Sequence, residues 1–205
     1  MPTIAVLDYG IGNLRSAQKA LERAGADAVL TSDAEVIHSA NGVVLPGVGN
    51  FGKCIEALRK TGIDRIALDS IETGRPFLGI CIGMQLLFEK SEESPNHQGL
   101  GVLPGEIRIL PEGVKRPQMQ WNSIHVRQPT PMLEGLDGEW LYFVHSYAAD
   151  LSTNNEIVVA TCSYGGDVVA AVQLDNIFAT QFHPEKSSDA GRDFLQNFVA
   201  ACKGR

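Results

Sequence analysis

Residues 79–83 read Gly-Ile-Cys-Ile-Gly, between the apolar run Pro76-Phe77-Leu78 and the helix-like stretch Met84 to Glu89. An apolar run that enters a glycine-flanked turn and leaves as a helix is a strand-to-helix elbow, which commits this part of the chain to a β-α unit. Cys81 at the apex is expected in a strained backbone conformation, and glycines two residues to either side remove side chains that would collide there. The thiol then points out of the sheet at a helix N-terminus, where unpaired amide N–H groups attract negative charge and can receive an oxyanion. This is how an acyl-transfer nucleophile is displayed, although a small buried cysteine fits the same five letters.

The surrounding pattern extends the β-α reading. Thr3 to Leu7 and Val43 to Leu45 are strand-like, while Leu14, Ala17, Leu21 and Ala24 share one helical face that stops at Gly25. After residue 100 the character changes. Strand-like runs at Ile107 to Leu110, Ile124 to Val126, Trp140 to Val144, Ile157 to Thr161, Val168 to Val172 and Ile177 to Thr180 have only turns between them. A helix over Asp189 to Cys202 closes the chain. The pattern predicts an α/β fold: an open, mostly parallel sheet flanked by helices, with an antiparallel extension. A chain of 205 residues with 44% hydrophobic content can bury one sizeable core, so residues 1–205 are expected to form a single domain.

A nucleophile needs a base. Ile177 to Phe182 runs into His183-Pro184-Glu185, and Pro184 favours an extended His183, so His183 and Glu185 can share a face. The imidazole would take the thiol proton and return one to a leaving amine, with the carboxylate fixing its tautomer. A structural histidine at a strand end is the alternative for His183 taken alone.

Two glycine clusters differ in meaning. Gly10-Ile11-Gly12 lacks the third glycine of a dinucleotide loop, with Arg15 in its place, and reads as a tight β-α turn. In Pro46-Gly47-Val48-Gly49-Asn50, glycines flank Val48 and let its peptide plane rotate at little steric cost. Such a loop can aim a backbone donor, or simply follow a strand. Ile82 N–H and Val48 N–H are the two oxyanion donors expected.

Gly-x-Cys-x-Gly followed a hundred or so residues later by His-Pro-Glu resembles the class I glutamine amidotransferases, whose Cys, His and Glu form a triad. Asp8 to Asn13, Leu45 to Gly49, Cys81 to Gln85, Met119 to Asn122, Tyr142 to Tyr147 and His183 to Ser187 follow one another as in one branch of that family, the glutaminase subunits of imidazole glycerol phosphate synthases. The resemblance covers essentially the whole chain and implies the flavodoxin-like fold of the family. It implies that Cys81, His183 and Glu185 hydrolyse L-glutamine, and that Val48 turns its N–H inward only when a partner is engaged. It places Gly49, Gln85, Glu93 and the backbone around His145, Ser146 and Tyr147 at the substrate. Taken by themselves, Gln85 is a helix residue and Glu93 part of an acidic, solvated run.

A chain that releases ammonia implies a user of it. The resemblance supplies a partner, a (β/α)8 barrel cyclase subunit forming a heterodimer and making imidazole glycerol phosphate and aminoimidazole carboxamide ribonucleotide in histidine biosynthesis. Asn13, Gln120, Trp121, Tyr142 and Lys186 are expected at that interface; the aromatics could equally fill this chain's own core. Gln120 stands where the family often has Gly, which bears on how the mouth of the ammonia route is gated.

A formal net charge of −7 with interspersed signs argues against nucleic-acid and membrane-surface roles. No apolar stretch is long enough to span a bilayer, and Met1 to Ile4 lacks the features of a signal peptide, so a cytoplasmic location is expected. The four cysteines and five histidines are scattered, and no metal or cofactor is expected. The remaining alternatives are the glutaminase subunit of anthranilate, aminodeoxychorismate or pyridoxal phosphate synthase, a non-catalytic binding module on the same fold, and a cysteine peptidase.

Overall fold

The computed structural model describes residues 1–204. Its first half alternates strand and helix. β1 (Thr3–Leu7) leads through a tight turn, with Gly10 and Gly12 at positive φ, into α1 (Leu14–Arg23), which buries Leu14, Ala17 and Leu21 and stops before Gly25. β2 (Asp27–Thr31) and α2 (Ala34–Ser39) follow, the helix capped by Asp33 accepting from the Glu35 and Val36 N–H groups. The fully buried β3 (Gly42–Gly47) runs into α3 (Phe51–Thr61), capped by Asn50. Left-handed Gly62 separates α3 from α4 (Ile63–Glu72), and the fully buried β4 (Phe77–Cys81) meets α5 (Ile82–Leu86).

The second half contains β5 (Lys90–Ser91), β6 (Glu106–Ile109), β7 (Gln118–Val126), β8 (Trp140–His145), β9 (Tyr147–Ala149), α6 (Leu151–Asn154), β10 (Val158–Ser163), β11 (Asp167–Leu174), β12 (Ile177–Thr180) and α7 (Ser188–Cys202). Nine strands form one sheet in the order β2-β1-β3-β4-β12-β11-β10-β7-β8. Pairing is parallel from β2 to β12 and antiparallel from β12 to β8.

Three local expectations are corrected. Ile107–Leu110 does not extend the main sheet: β6 pairs with β5 and β9 in a separate three-stranded sheet. Only Ile107 of β6 is fully buried, too little apolar surface to join a covered sheet. Ile177–Thr180 is the seam rather than part of the extension, parallel to β4 on one side and antiparallel to β11 on the other. The helix expected over Met84–Glu89 starts at Ile82 and stops at Leu86, because Glu89 N–H turns away to the Gly105 carbonyl while Gly99 lies close against Phe88.

Parallel register places Gly47 beside Cys81 and Thr180 beside Ile80, so the carboxyl ends of β3, β4 and β12 emerge side by side. In open parallel sheets, this is where ligand sites form. Phe182, just past β12, packs edge-on against Phe143 of β8 at 5.9 Å and Phe194 of α7 at 5.4 Å, which fixes the following residues between sheet and helix. No helix among the described residues is long and apolar enough to cross a membrane.

A Cβ on Gly83 would lie 1.8 Å from the Leu45 carbonyl oxygen, so α5 sits on β3 with no room for a methyl group. Gly83→Ala is expected to destabilise the fold by about 1–3 kcal/mol through overpacking. An unchanged urea midpoint would contradict this close approach.

Candidate active site

Cys81 has φ 54° and ψ −111°, a left-handed conformation rare for a side-chain-bearing residue and costing about 1–3 kcal/mol. Sterics explain the flanking glycines: a Cβ on Gly79 would come within 3.0 Å of the Gly83 carbonyl oxygen and of Met84 Cα. The elbow therefore has the form anticipated from the five residues around Cys81. The thiol accepts a long hydrogen bond, 3.6 Å, from the side-chain amide of Gln181, which no motif singled out. A polar residue inside the apolar run Ile177 to Phe182 was the available signal.

His183 and Glu185 meet as expected, but by another route. Pro184–Lys186 is a 3-10 turn rather than a continued strand, and this curl brings Glu185 Oε1 to 2.7 Å from His183 Nδ1. Proline suits the first position of such a turn, where its missing N–H leaves nothing unpaired. Ser187 donates its hydroxyl to the His183 carbonyl at 2.6 Å and accepts from Tyr142 N–H at 2.9 Å, tying the turn to β8. The side chains of His183 and Glu185 are 1% and 5% exposed, and His183 Nε2 makes no hydrogen bond to a nitrogen or oxygen atom.

Burial pushes His183 towards its neutral form, but Cys81 and Glu185 outweigh it and raise the ring from 6.5 to about 10. The Glu185 carboxylate at Nδ1 thus favours the protonated ring. His145 is the reverse case. Burial and the His183 charge prevail over its bond to the Tyr147 carbonyl and hold it down at about 4. Its Nδ1 therefore donates to that carbonyl, at 2.8 Å, and its Nε2 lone pair is left without a partner.

A cavity of about 420 Å³ opens over Cys81 and His183. Val48, Gly49, Ile82, Gln85 and Glu93 line it, as do His145, Ser146 and Tyr147. Asn13 and Lys186 stand at the same cavity, together with Pro117 and Val144, which sequence reasoning did not place at the site. Gln85 is buried, donating to the Tyr147 carbonyl at 2.9 Å and the Gln181 side chain at 3.0 Å. Glu93 is not a solvated charge: it is half-buried, and its carboxylate accepts from Phe51 N–H at 2.7 Å. Glu185 lies behind His183 and outside the cavity lining. A larger hollow of about 570 Å³ beside Pro131 and Leu133 is lined by no cysteine or histidine.

Gln120, Trp121 and Tyr142 do not line the cavity; they belong to β7 and β8, which end at its mouth. Trp121 is 43% exposed and meets Tyr142 edge-on at 6.1 Å, while Lys186 Nζ lies 5.9 Å over the Tyr142 ring. Neither aromatic fills the core. Met119 and Trp140 are exposed as well and complete an outward apolar face.

Three kinds of similarity bear on this arrangement. The glutamine amidotransferase class-I family model matches residues 5–202. The chain is 48% identical over 196 residues to the imidazole glycerol phosphate synthase subunit HisH of Methanothermobacter thermautotrophicus, covering 96% of this chain and 97% of that one. It is 47% identical to the subunit HisH of Syntrophotalea carbinolica, covering 95% and 98%. A solved glutamine amidotransferase structure superposes with a TM-score of 0.78 at 23% identity, covering 98% of each chain, and shares the fold.

The two histidines have opposite linkage to stability. Raised His183 stabilises fully below pH 6.5, and its contribution is lost as pH rises towards about 10. Depressed His145 contributes above 6.5 and loses that contribution as pH falls towards about 4, because the unfolded chain takes up the proton first. Replacing His145 with Gln should therefore flatten the fall in urea midpoint between about pH 6.5 and 5; an unaltered slope would refute a neutral buried His145.

Proposed function

The chain belongs to the class-I glutamine amidotransferases and, within them, to the HisH subunits of imidazole glycerol phosphate synthase, and from that premise we propose how its residues act. It is the glutaminase subunit, hydrolysing L-glutamine to glutamate and ammonia for histidine biosynthesis. Residues 1–205 act as one domain. The observation that carries the residue assignment is the strained Cys81 in one cavity with His183, whose Nδ1 is held by Glu185.

In this reading the Cys81 sulfur attacks the carboxamide carbon of glutamine. The oxyanion is received by the N–H groups of Ile82 and Val48. The His183 imidazolium gives its Nε2 proton to the departing ammonia, leaving a glutamyl thioester and a neutral ring. That ring takes a proton from water, the hydroxide adds to the thioester, and the sulfur leaves as glutamate forms. Glu185 holds Nδ1–H throughout and stabilises each imidazolium. Glu93 is placed for the α-ammonium group of glutamine. Gly49, Gln85 and the chain at His145 to Tyr147 surround the rest of it.

The relatives are subunits of a synthase, and the partner proposed here is its cyclase subunit, a (β/α)8 barrel that consumes the ammonia in a heterodimer. Trp121, Tyr142 and Lys186, joined by Met119 and Trp140, give that partner an apolar, aromatic surface running up to the cavity mouth. Asn13 borders the cavity from another side, and exposed Gln120 lies on β7 among these residues.

Cys81→Ala is expected to abolish glutamate release while leaving the thermal midpoint and partner binding intact; retained turnover would refute the nucleophile. Trp121→Ala and Trp140→Ala are expected to weaken binding of the cyclase subunit by about 2 kcal/mol each if they are interface anchors. Calorimetric titration measures this, and wild-type affinity in both would move the interface elsewhere.

A further inference from the structure

Two buried side chains that the chemistry above does not use grip the loop carrying Val48. Tyr9, just past β1 and 2% exposed, donates its hydroxyl to the Pro46 carbonyl at 2.8 Å. Cys54, fully buried in the first turn of α3, donates its thiol to the Val48 carbonyl at 3.4 Å. Burial raises both groups, the thiol to about 11, so each keeps its proton at neutral pH and remains a donor.

These carbonyls lie in different peptide planes. The Pro46 carbonyl belongs to the plane before Gly47, and the Val48 carbonyl to the plane after Val48. Between them lies the single plane containing the Gly47 carbonyl and the Val48 N–H. Gly47 itself is confined: a Cβ there would come within 2.9 Å of the Tyr9 hydroxyl and of Gly83 N, and 3.0 Å of Ile82 Cβ. Its backbone therefore has to be glycine for space, and its torsions are left free. Gly49, at φ 101°, closes the segment on the other side.

We propose that Tyr9 and Cys54 are positioning residues for the oxyanion donor: by fastening the planes on either side, they confine rotation of the loop to the Gly47–Val48 plane and set where the Val48 N–H points. This rests on the reading of Val48 as an oxyanion donor. With either tie cut, the slack spreads to a second plane and the donor is no longer aimed. The penalty falls on the transition state, because the ground-state amide does not depend on that hydrogen bond.

The test is steady-state glutaminase kinetics in the assembled complex with the cyclase subunit and its nucleotide ligand, comparing wild type with Tyr9→Phe, Cys54→Ala and Cys54→Ser. Loss of a whole oxyanion donor costs about 10²–10³ in kcat, so loss of its aim is expected to lower kcat by about ten-fold in Tyr9→Phe and Cys54→Ala. KM should stay within about two-fold of wild type, because the donor serves the transition state alone. Cys54→Ser keeps a donor at the same place and should recover most of the rate. Wild-type kcat in both Tyr9→Phe and Cys54→Ala would overturn the proposal. So would failure of Cys54→Ser to rescue, or KM rising in step with the loss of rate. A wild-type complex that releases no glutamate would instead overturn the amidotransferase reading and this one with it. An active wild type with an inactive Cys81→Ala variant leaves that reading standing whatever the Tyr9 and Cys54 variants do.

Discussion

The close seating of α5 on β3 is the constraint on which the cleft depends. With no side chain at Gly83, the first turn of α5 lies directly against the Leu45 carbonyl. That contact forces the chain to reverse within one residue after β4, which is why Cys81 bears a positive φ. It also draws the end of β3 alongside the elbow, with Gly47 in register with Cys81. Cys81 and the loop that faces it are therefore set by one packing contact, and the strain at Cys81 is balanced by the buried strands on both sides of it.

Electrostatics then divide the work between two buried histidines in the same cleft. Both lose solvation, which favours the neutral ring. His183 has a carboxylate at 2.7 Å and the Cys81 sulfur nearby, and these reverse the preference. His145 has only a backbone carbonyl as partner and faces the charge of His183, so it remains neutral. The surroundings thereby favour the protonated form of His183 and the neutral form of His145. Burial alone would have made both alike.

The cavity opens beside an outward face of β7 and β8 on which Met119, Trp121 and Trp140 are exposed. β8 is the last strand of the sheet, and its outer edge is met at Tyr142 by the turn after β12, whose His183 N–H donates to the Tyr142 carbonyl at 2.9 Å. The Ser187 hydroxyl links the backbone of β8 to that of His183, which makes the outer strand and His183 parts of one hydrogen-bonded unit.

Local chemistry made part of this protein legible. Glycines at two-residue spacing around Cys81 fit the crowded turn found there, and the nearness of His183 to Glu185 was legible in their spacing, although the extended run expected through Pro184 is a 3-10 turn; both features rest on neighbours in the chain. The β-α alternation of the first half and the strand runs of the second are likewise local periodicities. What the linear order could not decide was which distant segments meet. Gln181 touches Cys81 across 100 residues, and Tyr9 reaches Pro46 across 37. Glu93 reads as one more surface acid until folding brings it against Phe51 N–H, 42 residues away. Whether Ile107 would join the main sheet, and whether Trp121 faced the core or the solvent, depended on which surfaces were already covered. The sequence by itself determined the chemical groups and their local turns, because these follow from torsion and from neighbours a few bonds away. Only the tertiary structure decided the charge state of each histidine and the grip on the Val48 loop, because burial and long-range hydrogen bonds exist only once the sheet has brought its strand ends together.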